Sequence, residues 1–339
     1  MSRARIGLDA RLTRQLSVGM QTYARELARR LPRVAPEYDY VTFTAGGNFG
    51  WSEQVALPWK MRRARVALAH FLALYAPVVI PVRYVVTIHD LIHLRFPQYF
   101  KAKVGPYYHT VVRSLCARAA RIITDDERTI EDLVALLGVD ARKIRVIPLG
   151  VEERFLETVS PRVAARPYVL YAGNHRRHKD LPTLFAGWSA LPESLGVDLY
   201  VTGSDDFGGE LKRRSTAHRQ IVALGEVTAS ELAGLYAGAR AFVTAALREG
   251  FGLPMLEAMA AGCPVVACAS AIPGVLKDAA LTFPPRDSAA LRAQLLTMLT
   301  DDELRRATIE RGRQAARALT WDRCARATAD VYHEVLQPS

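Results

Sequence analysis

Two patterns of hydrophobic and polar positions alternate along this 339-residue chain. Short apolar runs rich in β-branched residues predict strands, and longer segments with apolar residues at helical spacing, such as "QTYARELARRL" and "LCARAA", predict helices. Strands that alternate with helices of this length are typical of parallel sheets covered on both faces. The first series of predicted strands occupies residues 5–9, 40–44, 84–89, 121–124 and 143–147.

A second series of strands and helices follows a weaker stretch that contains Pro161 and Pro167. We therefore predict an α/β fold of two doubly wound, Rossmann-like domains, with ligands in the cleft at the carboxyl ends of the strands. The domains are predicted at 1–155 and 168–319, joined by a linker at 156–167. A last helix is predicted at 320–339; it fits either domain and could pack back on the first. The later strands are predicted at 168–173, 197–203, 220–224, 240–245 and 264–269, and the later helices at 181–190, 229–238, 254–261, 287–299 and 301–318.

Composition is that of a soluble globular protein, because 50% of the residues are hydrophobic and 23% are charged. The most apolar run, residues 66–82, contains two prolines and falls short of the roughly 20 residues that a spanning helix needs, so it is interpreted as buried core. The N-terminal "MSRARIGLDA" has no apolar stretch of the signal-peptide kind. The four cysteines lack metal-ligand spacing, so we expect buried thiols in a reducing, cytoplasmic setting and no structural zinc.

The net charge of +11 is concentrated in the first half of the chain, where residues 1–155 carry +10 and residues 156–339 carry +1. A basic face suits nucleic acid, an anionic membrane or an anionic substrate, and a solvated arginine-rich surface is an equally good interpretation. The one tight basic cluster is "WKMRRAR" at 59–65, and no aromatic interleaving or nucleic-acid-binding motif accompanies the other basic residues. We expect no nucleic-acid partner and favour a peripheral contact of this cluster with an anionic membrane.

Two carboxylates frame a glycine-rich turn in the segment "EGFGLPMLEAMAAG", which begins at Glu249. Pro254 suits the first turn of a helix, and the glycines before it allow a ligand to approach the backbone. The N–H groups around 252–255 and the helix dipole then predict an anion site. A second acid, Glu257, would repel phosphate, but it suits a neighbour with hydroxyl donors, such as a ribose.

This segment and the "CPVVA" that follows it closely resemble the donor-site signature of the retaining glycosyltransferases of family 4, which have the GT-B fold. The segments "LGEVTASELAGLYAGARAFV", "VTIHDLIHLRFPQYF", "IRVIPLGVE" and "VGMQTYARELARRL" also resemble family segments, and the coverage is thinnest at 45–80. The resemblance implies two domains that face each other across a cleft, the first for the acceptor and the second for the nucleotide sugar. It further implies a metal-independent, retaining hexosyl transfer to an acceptor hydroxyl.

The resemblance also assigns roles in the donor site. Glu249 matches the acid that faces the transferred sugar, Glu257 the acid that binds the ribose, and Lys179 the lysine that binds the diphosphate. Where relatives carry an arginine after the loop glycine, this chain has Asn174. The positive charge of that arginine would then be supplied by Arg176 or Arg177, and the sequence does not show which of the two. The donor-binding set is Gly19, Gly173, Arg176, Arg177, Lys179, Val227, Glu249, Gly250, Phe251, Gly252, Leu253, Pro254 and Glu257.

On the acceptor side, His89 and Asp90 match the cleft histidine of the family and its neighbour. The predicted catalytic set is therefore Glu249, His89 and Lys179, with His89 in contact with donor sugar or phosphate and not acting as a base. Relatives carry Ser-Glu-Phe-Ser where this chain has "DERT" at 126–129, so the resemblance says least about the acceptor.

Chains with such a His-Asp pair and a loop like "GNHRRHK" often resemble mannosyl or related deoxyhexosyl transferases of surface polysaccharides, including lipopolysaccharide. We therefore predict GDP-mannose as the donor substrate, no cofactor or metal, a glycan or polyprenyl-linked glycan acceptor, and a location in the cytoplasm or at the inner face of its membrane. The alternatives are a nucleotide-sugar epimerase of similar build and, with less support, a nucleic-acid-binding protein. A dinucleotide oxidoreductase is disfavoured because no G-x-G-x-x-G follows an early strand.

Overall fold

The computed structural model describes residues 3–11, 17–47, 50–204, 207 and 210–337. The chain divides into two compact units, one comprising Met1–Gly150 with Thr320–Ser339 and the other comprising Val151–Leu319. Residues 156–167, predicted as a linker, are part of the second unit, where the Arg162 N–H donates to the Gly234 carbonyl at 2.9 Å.

The first unit contains a six-stranded parallel sheet in the order β2-β1-β3-β4-β5-β6. The sequence predicted five of these strands, and β3 is the one that it missed. This strand lies inside the apolar run that was interpreted only as core, and all four of its residues are buried. The strands are β1 Arg5–Asp9, β2 Asp39–Phe43, β3 Leu68–Phe71, β4 Arg83–Thr87, β5 Arg121–Thr124 and β6 Ile144–Val146.

Helices flank this sheet and connect its parallel strands. A π-helical turn, Ser52–Ala56, leads directly into the second helix, and another, Tyr108–Val112, joins the fourth helix to the fifth. The helices are α1 Val18–Val34, α2 Leu57–Arg63, α3 Ile92–Arg95, α4 Val104–Tyr107, α5 Arg113–Arg118 and α6 Glu127–Leu137.

The second unit is built on another six-stranded parallel sheet, in the order β12-β11-β10-β7-β8-β9. Counted from β7, this is the strand order of the dinucleotide-binding doubly wound fold, in which the chain reverses direction between the first and fourth strands. The prediction of five strands missed β12. The strands are β7 Tyr168–Tyr171, β8 Asp198–Thr202, β9 Ile221–Gly225, β10 Ala241–Thr244, β11 Val265–Cys268 and β12 Ala280–Phe283.

The helices of the second unit cover both faces of that sheet and enclose an apolar core around Trp188, Phe185 and Leu291. Their N-termini are capped by local side chains in several cases, as where the Thr228 hydroxyl accepts from the Glu231 N–H in a capping box. The helices are α7 Glu153–Leu156, α8 Leu181–Ser189, α9 Glu210–Arg214, α10 Ala229–Gly238, α11 Leu253–Ala260, α12 Ser288–Thr300 and α13 Asp302–Ala318.

The last helix, α14 Trp321–Leu336, is grouped with the first unit and packs along α1. Its Tyr332 hydroxyl lies 2.6 Å from Nδ1 of His70 on β3, and Nε2 of His70 lies 2.8 Å from the Thr87 hydroxyl on β4. Burial and the charge of His89 lower the pKa of His70 to about 3, so that its ring is neutral and one nitrogen donates while the other accepts.

No helix in the described part of the chain is both long enough and apolar enough to cross a bilayer. The four cysteines are buried, and none forms a disulfide.

Candidate active site

The candidate site of the second unit lies where the sheet changes direction. Strands β7 and β10 are hydrogen-bonded neighbours although two strands, β8 and β9, separate them in sequence order. The loops that leave their carboxyl ends diverge to opposite faces of the sheet, which is the position at which ligands of doubly wound sheets bind. The Leu247 N–H donates to the His178 carbonyl at 2.7 Å and so fastens the two loops together.

The structure brings together Lys179, from the loop after β7, and Glu249, from the loop after β10. The Lys179 ammonium lies 2.5 Å from Oε1 of Glu249, and the two side chains are only 11% and 15% exposed. A short turn of 3₁₀-helix, Arg177–Lys179, holds the lysine in place, and Asp180 follows in the left-handed conformation. The positive charge is therefore fixed at the ends of the strands, and it is paired with a carboxylate.

Helix α11 begins beside this pair, directly after its N-cap residue Gly252. That glycine has a φ of +82°, which an L-residue adopts only with strain, and it turns the loop into the helix. Within the described residues, the N–H groups of 250–253 donate to no protein acceptor, whereas that of Met255 donates to the Gly252 carbonyl at 2.9 Å. Because Pro254 has no N–H, the available donors are those of Gly250, Phe251, Gly252 and Leu253, slightly earlier than the sequence suggested.

Glu257 lies one turn into α11 and faces a different set of groups from Glu249. Its Oε2 accepts a hydrogen bond of 3.2 Å from the Tyr236 hydroxyl on α10. Burial is the main reason that the pKa of Glu257 is raised to about 7. The Tyr236 hydrogen bond and the Arg154 guanidinium act to lower this pKa, and the Glu152 carboxylate acts to raise it. A carboxyl group with this pKa exchanges its proton near neutrality and accepts additional hydroxyl donors well when ionised.

The loop after β7 carries the exposed cations. The Gly173 N–H donates to the Thr202 hydroxyl at 3.2 Å, and the Tyr171 hydroxyl donates to the Asn174 carbonyl at 2.6 Å, so the start of the loop is ordered by neighbouring strands. The side chains of Arg176 and Arg177 are exposed, and neither forms an ion pair with any residue that the structure describes. Both guanidinium groups are therefore available to bind an anion.

Two further donor-site residues of the prediction lie on other elements. Val227 is half-buried in the loop that follows β9, immediately before the Thr228 cap of α10. Gly19 lies in the first turn of α1 in the first unit; residues 12–16, which precede it in sequence, lie outside the described residues.

His89 lies at the carboxyl end of β4 and is nearly buried, 9% exposed. Its Nδ1 lies 2.6 Å from Oδ2 of Asp125, and its Nε2 lies 3.2 Å from the Leu72 carbonyl. Burial alone would lower its pKa, but the Asp125 carboxylate, together with Asp90 and the Leu72 carbonyl, raises it overall. With Asp125 ionised, both partners are acceptors and both ring nitrogens carry protons; burial in turn raises the pKa of the Asp125 carboxyl.

Asp90, the other predicted acceptor-side residue, has a local role. Its Oδ1 accepts from the Ile92 N–H at 2.9 Å, which forms an Asx turn just before the short helix α3. Its side chain is partly exposed.

Several residues of these sites were not predicted from the sequence. Asp125, the partner of His89, follows β5, and the parallel register that pairs Thr87 with Ile123 also aligns residue 89 with residue 125. Tyr236 is visible in sequence only as an apolar helix position. No cluster of three or more His, Cys, Asp or Glu side chains with metal-binding geometry occurs in the part of the chain that the structure describes.

Comparison with known families assigns both halves of the chain. Residues 18–155 match a family model described as Glycosyltransferase Family 4, and residues 166–301 match one described as Glycosyl transferases group 1. The chain belongs to glycosyltransferase family 4. This family 4 enzyme is accordingly a retaining glycosyltransferase that takes its sugar from a nucleotide donor, which decides against the epimerase and nucleic-acid-binding alternatives.

The enzyme is 29% identical to the O-antigen chain mannosyltransferase B of Escherichia coli, over 81% of this chain and 76% of that protein. It is 31% identical to the D-inositol 3-phosphate glycosyltransferase of Xylanimonas cellulosilytica, over 64% of this chain; the match spans only 57% of that relative. Among solved structures, sucrose-phosphate synthase from Thermosynechococcus elongatus superposes with a TM-score of 0.77 at 19% identity, covering 98% of this chain and 99% of that one. This likeness establishes the GT-B fold and confirms the predicted α/β class.

Proposed function

We propose that this family 4 enzyme transfers mannose, or a related hexose, from GDP-mannose or a similar nucleotide diphosphate donor to a hydroxyl of a glycan or lipid-linked glycan. The observation that carries the proposal is the Lys179–Glu249 pair at the β7/β10 switch point, next to the unpaired N–H groups at the tip of α11. This arrangement combines a fixed cation, anion-binding amides and a carboxylate, which are the groups that cleavage of a glycosyl diphosphate requires.

The leaving group of this reaction is a nucleoside diphosphate, which gains negative charge as the glycosidic bond breaks. Lys179 and the N–H groups of 250–253 are positioned by the sheet before substrate arrives, so they stabilise that charge without reorganisation. The dipole of α11 acts in the same sense. Arg176 and Arg177 supply further positive charge from the exposed side of the loop.

Glu249 and Glu257 have different tasks in this proposal. When a diphosphate takes over Lys179, Glu249 loses its partner and its charge becomes available to the transferred sugar and to the positive character that develops at the anomeric carbon. Glu257 accepts from the ribose hydroxyls of the nucleotide. His89 is a positioning residue in contact with donor sugar or phosphate and not a base, because Asp125 and the Leu72 carbonyl already occupy both of its ring nitrogens.

The choice of mannose and of a surface glycan acceptor rests on the relatives and on two sequence features. The Escherichia coli relative is named as an O-antigen chain mannosyltransferase, and its match extends over most of both chains. The loop "GNHRRHK" and the His89–Asp90 pair agree with that class. A lipid-linked acceptor would place the enzyme at the cytoplasmic face of a membrane, which we include in the proposal.

A thermal-shift screen of the purified enzyme against GDP-, UDP-, ADP- and dTDP-sugars tests the donor. A donor present at 100 times its Kd stabilises the folded state by about 2.7 kcal/mol, so the correct nucleotide is expected to raise Tm clearly above the others. Preferential stabilisation by UDP- or ADP-sugars would exclude GDP-mannose.

Transfer assays with the donor so identified test the site. Lys179→Ala and Glu257→Ala are expected to lower kcat/KM by at least about a hundredfold, whereas Lys277→Ala, which removes an exposed lysine of the same unit, is expected to leave it unchanged. Turnover of both site variants within a few-fold of wild type would contradict the proposed roles. Separate Arg176→Ala and Arg177→Ala variants identify which arginine binds phosphate.

A further inference from the structure

The helix of residues 51–63 presents an apolar face to solvent. Trp51 is 84% exposed, Val55 52% and Trp59 56%, and the spacing of four residues places all three on one side. Together with Ser52 and Ala56 they line a shallow groove of about 460 Å³. Exposed tryptophans in a contiguous apolar patch mark interaction surfaces of soluble proteins more often than isolated apolar residues do.

The opposite side of the same helix is firmly attached to the first unit. Leu57 and Met61 are fully buried in the core, and Glu53, at the same spacing of four, is 2% exposed. Oε1 of Glu53 lies 3.7 Å from the guanidinium of Arg11, which also forms an ion pair with Asp9 at the end of β1. The exposed residues are therefore held outward on a fixed element, and they cannot turn inward without losing this anchor.

Neighbouring loops enlarge the apolar face. The side-chain oxygen of Gln54 accepts from the Val78 N–H at 2.9 Å, which holds the loop of Val78 and Val79 against the helix. Those two valines are 56% and 67% exposed. We call the exposed surface of Trp51, Val55, Trp59, Val78 and Val79 the tryptophan face.

Positive charge lies at the C-terminal end of the tryptophan face. Lys60, Arg62, Arg63 and Arg65 are exposed, and none forms an ion pair within the described residues. The Arg63 guanidinium lies 5.3 Å from the ring centre of Trp59. Acidic residues are almost absent from this part of the chain, since residues 45–120 contain ten Lys and Arg but only two acids, the anchored Glu53 and Asp90.

We propose that the tryptophan face docks the enzyme on an anionic phospholipid bilayer, with the indole rings at the headgroup level and the cations of 60–65 against the lipid phosphates. A fixed amphipathic helix with tryptophans on one face and cations beside it is the arrangement that binds in the plane of a membrane surface. The charge is complementary to anionic headgroups, each nearby cation contributing roughly fivefold in affinity. A docking partner that was merely apolar would not require four unpaired cations.

This inference names the membrane contact of the proposed function. Vesicle binding is measured without donor or acceptor. The docking proposal can therefore be refuted while the proposed sugar transfer is upheld, and the transfer can be refuted while docking is upheld.

The first experiment measures binding of the full-length enzyme to vesicles of phosphatidylcholine with 30% phosphatidylglycerol, and to phosphatidylcholine alone, by sedimentation. The anionic vesicles are expected to bind more than about tenfold more tightly, and raising the salt is expected to weaken the binding. Of the four tryptophans only Trp51 and Trp59 are exposed, since Trp188 and Trp321 are fully buried. Vesicles with brominated acyl chains are therefore expected to quench the fluorescence of these two.

Variants assign the binding to the surface. Trp51→Ala/Trp59→Ala and Lys60→Gln/Arg62→Gln/Arg63→Gln are each expected to weaken binding more than about tenfold. A matched control, Arg306→Gln/Arg313→Gln/Arg317→Gln, removes the same charge from exposed positions of α13 and is expected to bind as wild type does. Circular dichroism and Tm establish that each variant is folded, as expected for exposed side chains.

Three results would overturn the proposal. One is equal binding of neutral and anionic vesicles, or binding to neither; another is wild-type affinity in the double tryptophan variant. The third is a dimer of the wild type, seen by analytical ultracentrifugation, that becomes monomeric in that variant, since the tryptophan face would then be an interface between copies of the chain.

Discussion

At the scale of single residues, the Lys179–Glu249 pair sets up a competition between protein and ligand. The ammonium and the carboxylate are 2.5 Å apart and mostly buried, so a diphosphate that binds Lys179 must replace or share this partner. We expect Glu249→Gln, which keeps the size of the side chain, to bind the nucleoside diphosphate several-fold more tightly and to lower kcat for transfer by about a hundredfold. Isothermal titration and steady-state kinetics measure the two effects separately.

Lys179→Met is the matched variant for this competition. It removes the cation, so we expect weaker diphosphate binding as well as slower transfer, and the leftover Glu249 charge should lower stability because a buried ion has lost its partner. If Glu249→Gln instead bound diphosphate more weakly and transferred at the wild-type rate, Glu249 would not face the donor.

The raised pKa of Glu257 predicts a dependence of stability on pH. The carboxyl has a pKa of about 7 in the folded state against 4.5 ordinarily, so between these values the folded state holds a proton that the unfolded state has released. Stability must then fall as pH rises from about 5 to 8, by between about 1 and 3 kcal/mol. Glu257→Gln, which cannot ionise, should remove this part of the slope; urea unfolding of both proteins at pH 5 and pH 8 measures it.

The contribution of Glu257 is isolated by the difference between the two proteins, because other groups that titrate in this range are common to both. An unchanged slope in Glu257→Gln would mean that the carboxyl ionises normally in the folded enzyme. A slope of opposite sign in the wild type alone would mean that nearby cations outweigh its burial.

At the scale of elements, α11 is bounded by two glycines in the left-handed region, Gly252 before it and Gly262 after it, with φ of +82° and +78°. Alanine at either position should cost about 1–2 kcal/mol of stability for the same backbone reason. Only Gly252→Ala, next to the unpaired N–H groups, should also lower kcat/KM, by at least about tenfold. Similar losses of activity in the two variants would indicate a general effect of weakening the helix.

Most strands of both sheets were predictable from sequence because they are short, β-branched and flanked by turns. The two strands that were missed, β3 and β12, show where the sequence pattern no longer identifies a strand. In β3, "LAHF" lies within a continuous apolar run, where a strand and other buried structure have the same periodicity. In β12, "ALTF" is four residues long and mostly half-buried, so neither its length nor its pattern distinguishes it from a loop.

The site shows the same division between local and spatial information. The loop and helix of 249–257 were predictable, because turn glycines, proline and acids are adjacent in sequence. The contact of Lys179 with Glu249 joins residues 70 positions apart and depends on β7 and β10 being neighbours, which strand patterns do not specify. Asp125 was missed for this reason, although the parallel register of β4 and β5 places it beside His89.

At the scale of the whole molecule, the chain returns to its first unit only in its last twenty residues. The amphipathic pattern of α14 fits any apolar surface, so sequence left its partner open. Specific polar contacts make the difference: the Glu334 carboxylate pairs with Arg121 on β5, and the Tyr332 hydroxyl meets the buried His70 of β3. The helix that packs on the first unit therefore comes from a segment that follows the entire second unit in sequence.

Removal of the Tyr332 hydroxyl tests whether its contact with His70 helps α14 to stabilise the first unit. Tyr332→Phe keeps the buried ring but leaves Nδ1 of a neutral, fully buried histidine without its partner, so we expect a loss of about 1–3 kcal/mol in the free energy of unfolding. Tyr200→Phe is the matched control, because that hydroxyl has no partner among the described residues, and its removal should cost almost nothing.

Hydrogen exchange locates the effect of Tyr332→Phe. Since α14 belongs to the first unit, amides of β3, β4 and α1 should exchange faster in the variant, while those of β7 and β10 in the second unit should keep their protection. Faster exchange confined to the second sheet, or a cost no larger than that of Tyr200→Phe, would show that α14 does not stabilise the first unit through this contact.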